Sequence, residues 1–257
     1  MNNTDYIYDD IVDAIKRVGV MKNDVLFSHS NIGFFGKLYD AKTTNDYCHA
    51  FMKAIFEIIG INGTLVVPTF SYSFCNNQNF DKDETPSVCG LFSEYIRKHK
   101  DAKRSNEPNF SISAIGKYAE NFTKEQPSHP FSKNSFWERF LMKNGKFLNL
   151  NFDSGSTFFH FVEKSINVPY RFDKKFVGKL KNNSGFVEKE FLHFVYDKNK
   201  TENEPNFEKF HKKALMMKIT KTSNLGKGQI VCISSQNTIE LIKKEIKDDP
   251  NFLIQKL

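Results

Sequence analysis

His160 and Glu163 lie three residues apart in the run Asp153-Ser154-Gly155-Ser156-Thr157-Phe158-Phe159-His160-Phe161-Val162-Glu163. In a helix, that spacing puts both side chains on one face. A carboxylate beside an imidazole fixes its orientation. It also stabilises the imidazolium formed when the ring takes a proton, which is what a general base requires. Ser154, Ser156 or Thr157 could cap such a helix. A histidine and a glutamate also reach this spacing by chance, as a surface pair or a satisfied core histidine. The spacing alone leaves both readings open.

Two further clusters are suited to holding a ligand. Ser28-His29-Ser30-Asn31-Ile32-Gly33-Phe34-Phe35-Gly36 follows a short apolar run, and its glycines let the main chain approach a bound molecule. It is neither a Walker loop nor G-x-G-x-x-G, and an ordinary strand-to-helix turn has the same composition. Lys103-Arg104-Ser105-Asn106-Glu107-Pro108-Asn109-Phe110-Ser111 offers a cation, hydroxyls and a proline-fixed loop. That set suits phosphate, but equally an exposed polar loop. Serine hydrolysis lacks its G-x-S-x-G elbow. His49, His99, His129, His193 and His211 are scattered with no H-E-x-x-H, so no metal site is expected.

The surrounding periodicity supplies elements to position these clusters. Asp9 to Val18 and Asp46 to Ile59 read as helices, the second stopped by Gly60 and Gly63. Val25 to Phe27 and Thr64 to Val67 read as buried strands, the second ended by Pro68. Thr69 to Pro86 is a long polar and aromatic connection of the kind that binds ligands. Helices are expected at Leu91 to His99, Phe136 to Met142, from near Thr157, and at Thr238 to Ile246. Strands are expected at Lys146 to Leu150, Phe191 to Tyr196 and Gly228 to Ile233, and a polar loop at Thr201 to Phe207. The alternation favours an α/β fold, and without a linker or repeat one domain over 1–257 is expected.

Composition excludes more than it identifies. The chain has 257 residues, 27 of them Phe, enough aromatic surface to build a core. The net charge of +7 gathers most clearly at Arg171 to Lys181 and Lys209 to Lys221. Such segments are solvated surface or the rim of a site for a polyanion. A non-catalytic nucleic-acid-binding protein would explain the charge, but no such motif is present. Cys48, Cys75, Cys89 and Cys232 form no C-x-x-C pair and read as reduced cytosolic thiols. The polar, acidic N-terminus is no signal peptide. The most apolar stretch, Ala54 to Phe70, is broken by Glu57, Gly60, Asn62, Gly63 and Pro68, so no membrane span is expected. A soluble cytoplasmic protein, monomer or homodimer, is the expectation.

Taken in order, the clusters resemble the aminoglycoside 3-N-acetyltransferase-like family of antibiotic N-acetyltransferases over nearly the whole chain. The resemblance rests on Phe27-Ser28-His29-Ser30-Asn31 with Gly36, and on Gly63-Thr64-Leu65-Val66-Val67-Pro68-Thr69-Phe70. It continues through Arg104-Ser105 with Pro108, Ser111, Ala114 and Gly116, then through Thr157-x-x-His160-x-x-Glu163. Pro169-Tyr170-Arg171 with Lys174 or Lys175 and Gly178, Gly226-x-Gly228, and Asp249-Pro250-x-Phe252-Leu253 complete it. It implies a mixed β-sheet flanked by helices and acyl transfer from acetyl-CoA to a sugar amine without a metal. His160 would be the base, with Glu163 orienting it. His29, Ser30, Asn31, Arg104, Ser105 and Ser111 would cradle coenzyme A. Asp153, Thr157, Tyr72, Tyr170 and Arg171 would meet the acceptor. Glu107, where many members carry histidine, and Tyr196, where an arginine is expected, depart from the pattern at positions that would touch the acceptor. The cations after Pro169 favour a nucleotide-linked amino deoxysugar of bacterial surface-glycan synthesis. The alternative is an aminoglycoside drug, whose several positive charges call for an acidic pocket.

Overall fold

A computed structural model describes residues 4–197 and 203–256. The helices are α1 (Tyr8–Arg17), α2 (Thr44–Ile59), α3 (Leu91–Arg97), α4 (Ala119–Thr123), α5 (Phe136–Met142), α6 (Phe158–Ser165), α7 (Glu208–Met216) and α8 (Ser235–Asp248). The strands are β1 (Val25–Phe27), β2 (Thr64–Pro68), β3 (Lys103–Arg104), β4 (Ile112–Gly116), β5 (Lys146–Leu150), β6 (Arg171–Asn182), β7 (Gly185–Tyr196), β8 (Asn203–Pro205), β9 (Lys221–Leu225), β10 (Gly228–Ser234) and β11 (Ile254–Lys256). Seven strands make one sheet in the order β3-β4-β2-β1-β5-β10-β9. β2, β1 and β5 run parallel in its centre, and β4 and β10 add antiparallel on either side. The sheet is therefore mixed and flanked by helices, as the resemblance implies.

The central strands are buried on both faces, which is why they read as continuous apolar runs rather than alternating ones. Phe27, Val66, Ala114, Phe147 and Ile233 face one core, shared with α5, α6 and α8. Leu26, Leu65, Val67, Ile115, Leu148 and Ile230 face a second, shared with α1 and α2. Local sequence sets the helix limits. Thr43 Oγ1 accepts from Asp46 N at 3.3 Å while Asp46 Oδ2 accepts from Thr43 N at 2.7 Å, a reciprocal cap that starts α2. Gly60, at φ +67°, stops it.

After β1 the chain enters α2 on one face of the sheet, whereas after β5 it enters α6 on the other. β1 and β5 are neighbours, so a crevice opens beyond their carboxyl ends, the usual ligand position in an open α/β sheet. Ser28 to Asn31 follow β1 there, and Asn151 to Thr157 follow β5.

The segment after Pro169 differs from its sequence reading. Arg171 to Lys181, read as a basic segment, is β6, and its partner β7 begins six residues before the expected strand. Lysines on the solvated face mask the alternation. The ribbon is anchored by a third small core of Phe74, Phe80, Leu180 and Phe191. Lys209 to Lys221 likewise holds α7 and the start of β9. In the expected loop at Thr201 to Phe207, residues 203–205 pair with β11, and 201–202 lie outside the described residues. No helix among the described residues is long and apolar enough to cross a membrane.

Gly178 is what lets the ribbon seat on Phe74. A Cβ there would lie 2.5 Å from the Phe74 ring, which is fully enclosed. Gly178→Ala should therefore cost about 1–3 kcal/mol through forced repacking. Urea unfolding measures this, and a loss under about 0.5 kcal/mol would show that the ring yields freely.

Candidate active site

The first turn of α6 carries His160, and the next turn brings Glu163 beneath it. Ser156, of the three capping candidates, accepts from Phe158 N at 3.2 Å and so starts the helix. Ser154 is buried instead in a cluster with His211 (2.9 Å) and Thr220 (3.0 Å), pinning the loop before the helix.

His160 Nδ1 lies 2.8 Å from Glu163 Oε2. A carboxylate only accepts, so Nδ1 carries the proton and Nε2 keeps its lone pair. Glu163 has no exposed surface, whereas His160 keeps about a fifth of its side chain open. Tyr170 donates to Glu163 Oε1 at 2.9 Å, and Arg171 Nε lies 3.0 Å from Oε2. Burial pushes the Glu163 carboxyl up, but the hydrogen bond and charge of His160, then Arg171 and Tyr170, hold it below its usual range. His160 is held below the ordinary imidazole value by burial and by the Arg171 charge, against the pull of Glu163. An imidazole neutral at physiological pH, with a free nitrogen and a carboxylate behind it, can take a proton from a reacting group.

A second imidazole stands at the crevice. His29 Nδ1 is 3.3 Å from Asn149 Oδ1, and its Nε2 is 3.5 Å from Thr157 Oγ1. Asn149 Nδ2 donates to the carbonyls of Asp153 and Gly155, which leaves its oxygen to accept from His29. Burial pulls His29 down to about 4, against the Asn149 contact and the Asp153 charge, so it stays neutral. Asn149 ties the two crevice loops together and was missed in the sequence. Its one signal there is an amide among the apolar residues Phe147, Leu148 and Leu150.

The structure thus links His29 to Thr157 by a side-chain contact, and Thr157 precedes the helix that carries His160 and the buried Glu163, with Asp153 in the loop before it and Ser30 and Asn31 after β1. Asp153 is exposed, and its Oδ1 accepts from Gly155 N at 2.7 Å. Ser30 Oγ is buried without a hydrogen-bond partner, the kind of group a ligand would satisfy. Tyr72 packs on Phe110 (5.3 Å between centroids), Phe110 on Phe131 (5.2 Å) and Phe131 on His160 (5.5 Å).

Other expected residues sit elsewhere. Tyr170 and Arg171, expected to meet the acceptor, are both buried against Glu163, the first by a hydrogen bond and the second by an ion pair. Arg104 donates to the carbonyls of Lys82, Thr85 and Thr69 and to Ser111 Oγ. Ser105 Oγ accepts from Ile112 N, and Ser111 Oγ donates to Thr69 O. These three lace the loop after β2 to the sheet edge. Arg104 also lines a polar cavity of about 770 Å³ with Lys82, Asn106, Lys124 and Lys189, whose lining does not include His160. Glu107 is buried against His193 (3.4 Å) and accepts from Asn109 N, and Tyr196 lies under the Arg171 guanidinium. No group of three or more possible metal ligands occurs among the described residues.

The family model for aminoglycoside 3-N-acetyltransferase matches residues 29–247. Over 190 residues the chain is 24% identical to the SPbeta prophage-derived aminoglycoside N(3')-acetyltransferase-like protein YokD of Bacillus subtilis (strain 168). That match takes in 63% of this chain and 65% of the relative, so it spans just under two thirds of that protein's length. The structure of aminoglycoside acetyltransferase AAC(3)-Xa superposes with a TM-score of 0.82 at 18% identity, covering 94% of this chain and 92% of the other. AAC-IIIb in binary complex with CoASH gives 0.78 at 17% identity, covering 94% and 97%.

His29 makes the site a pH-linked element of stability. Unfolded, the ring has its ordinary value near 6.5; folded, it refuses the proton until about 4. Below 6.5 the unfolded chain takes up a proton that the folded one does not, so stability falls as pH drops through that window. In His29→Gln the loss of stability between pH 7 and pH 5 should be smaller than in wild type. Equal losses by denaturant titration would place the burial penalty elsewhere.

Proposed function

Because the chain belongs to the aminoglycoside 3-N-acetyltransferase family, we propose that it transfers an acetyl group from acetyl-CoA to the amine of an amino sugar, with His160 as general base. The observation that carries this reading is the His160 Nδ1 to Glu163 contact of 2.8 Å, which leaves Nε2 as the ring's free acceptor. Acetyl-CoA supplies an activated thioester carbonyl. The protein's part is proton removal and positioning. An ammonium has no lone pair, so it must lose a proton before or during attack, and Nε2 receives it. Glu163 balances the charge that appears on the ring. Holding both reactants in one crevice removes much of the entropic barrier, so no covalent acyl-enzyme is required.

The unpartnered Ser30 hydroxyl, with Asn31 and the neutral His29, fits a coenzyme on the β1 side. Asp153 is the exposed carboxylate at the crevice suited to an ammonium. The relatives' names support an aminoglycoside-type amine as acceptor. The preference for a nucleotide-linked sugar rested on the cations after Pro169, and the fold gives three of them internal partners. Arg171 meets Glu163, Lys175 meets Glu190 at 2.9 Å, and Lys181 meets Asp81 at 2.7 Å.

A thiol-release assay with acetyl-CoA tests this against gentamicin-type drugs and nucleotide-linked amino deoxysugars. Turnover is expected on the drugs, and His160→Ala should lower it about 10²- to 10⁴-fold while coenzyme A still binds. Turnover confined to the nucleotide sugars would restore the glycan reading. Near-wild-type turnover in the variant would remove His160 as base.

A further inference from the structure

We propose that Arg171 is a positioning residue that keeps His160 free of its proton, by sharing with it a single oxygen of Glu163. The inference rests on the reading of His160 as the base. It also concerns an ionic arrangement that can be measured without any reaction.

The geometry is specific. His160 Nδ1 and Arg171 Nε converge on the same atom, Glu163 Oε2, at 2.8 and 3.0 Å, while Tyr170 takes Oε1 at 2.9 Å. The Arg171 contact is close but poorly aligned, since Nε has no properly directed hydrogen bond. Its contribution is therefore charge. Two other contacts hold the guanidinium in place. Nη1 donates to Phe194 O at 2.9 Å, and the guanidinium carbon lies 3.7 Å from the Tyr196 ring centroid. Only 3% of the Arg171 side chain is exposed, so solvent screens this charge weakly.

A histidine buried beside a lone carboxylate tends to be held as imidazolium, and an imidazolium cannot act as a base. Here the carboxylate is already neutralised by arginine. With His160 neutral, the Glu163–Arg171 pair carries no net charge. With His160 protonated, the buried trio carries one positive charge. That cost favours the neutral ring, while Glu163 still fixes its tautomer.

Burial opposes the proton as well, and the neighbouring charged groups leave the electrostatic part of the opposition to Arg171. On α6, Lys164 turns away to Asp173, at 2.6 and 2.8 Å. From the loop before α5, His129 also engages Asp173, at 3.1 Å, and Phe131 presents an apolar ring to His160. Phe207 packs on the other side, 6.1 Å away between centroids. From β7, His193 pairs with Glu107 and is separated from His160 by Phe110 and Phe131. Tyr196 contributes its ring face to Arg171.

The test is the titration of the His160 ring, followed by NMR with ¹⁵N-labelled histidine and assigned by loss of the signal in His160→Gln. In wild type the midpoint should lie below 6.5, and a midpoint above 7 would overturn the inference outright, whatever the variants do. Arg171→Gln should raise the midpoint by about one pH unit, a tenfold gain in proton affinity. Arg171→Lys keeps the charge and should move it by less than half as much. An unmoved midpoint in Arg171→Gln, or equal shifts in both variants, would overturn the inference. If Arg171→Gln does not fold, the wild-type midpoint and Arg171→Lys decide, and a lysine variant titrating a full unit higher sinks it. The acid limb of kcat/KM should follow the NMR midpoint in every folded variant. A midpoint that moves while the pH–rate profile stays still would support the ionic arrangement and instead refute His160 as the base.

Discussion

The burial of the Glu163 carboxylate is the constraint on which the rest of this structure depends. A charged carboxylate without solvent is tolerable only when its oxygens are fully engaged. Three residues engage it, from three consecutive pieces of chain: His160 on α6, Tyr170 on the turn that follows, and Arg171 at the start of β6. Arg171 would not hold its pose alone. It needs the Phe194 carbonyl and the Tyr196 ring, both on β7, so the antiparallel ribbon must form for the carboxylate to be satisfied. The ribbon in turn seats on Phe74 and Phe80, beyond the sheet edge. A long structural extension thus leads back to the orientation of one imidazole.

The sheet solves a separate problem, that of bringing distant loops to this imidazole. Adjacent parallel strands whose chains leave toward opposite faces open a crevice between them. β1 and β5 are such a pair, and their exits supply His29 and Thr157. Asn149, fully enclosed on β5, uses both ends of its amide to bind the two exits together. It does for the loops what Glu163 does for the helix. A polar side chain in the core is satisfied only in one arrangement, and that arrangement is the site.

Much of this was legible in sequence where the physics is local. The capped α2, the apolar runs of β1, β2 and β5, and the three-residue spacing of His160 and Glu163 need only neighbours along the chain. The failures share a cause. Lys181 read as part of a basic rim because its carboxylate partner, Asp81, lies 100 positions away. The contacts of Arg104 with the main-chain carbonyls of Lys82, Thr85 and Thr69 were equally invisible in sequence. Glu107 drew notice only as a departure from the family pattern, and its mate His193, 86 positions away, was out of view. Charge in a sequence reports which ions exist, whereas only the fold reports which of them are already spent.

The two crevice histidines show the same rule on the scale of single protons. Both are held neutral, by different means. His29 loses its proton to plain desolvation, with an amide and a hydroxyl as its polar neighbours, and no change near neutral pH will charge it. Such a ring is a fixed dipole, suited to holding loops and ligand in register. His160 is desolvated too, but it has an anion at one nitrogen and a cation across that anion. Burial and arginine oppose the proton while glutamate favours it, so the ring is held neutral with an anion still behind it. Two identical side chains are thereby given different surroundings, an amide and a hydroxyl for one and an ion pair for the other.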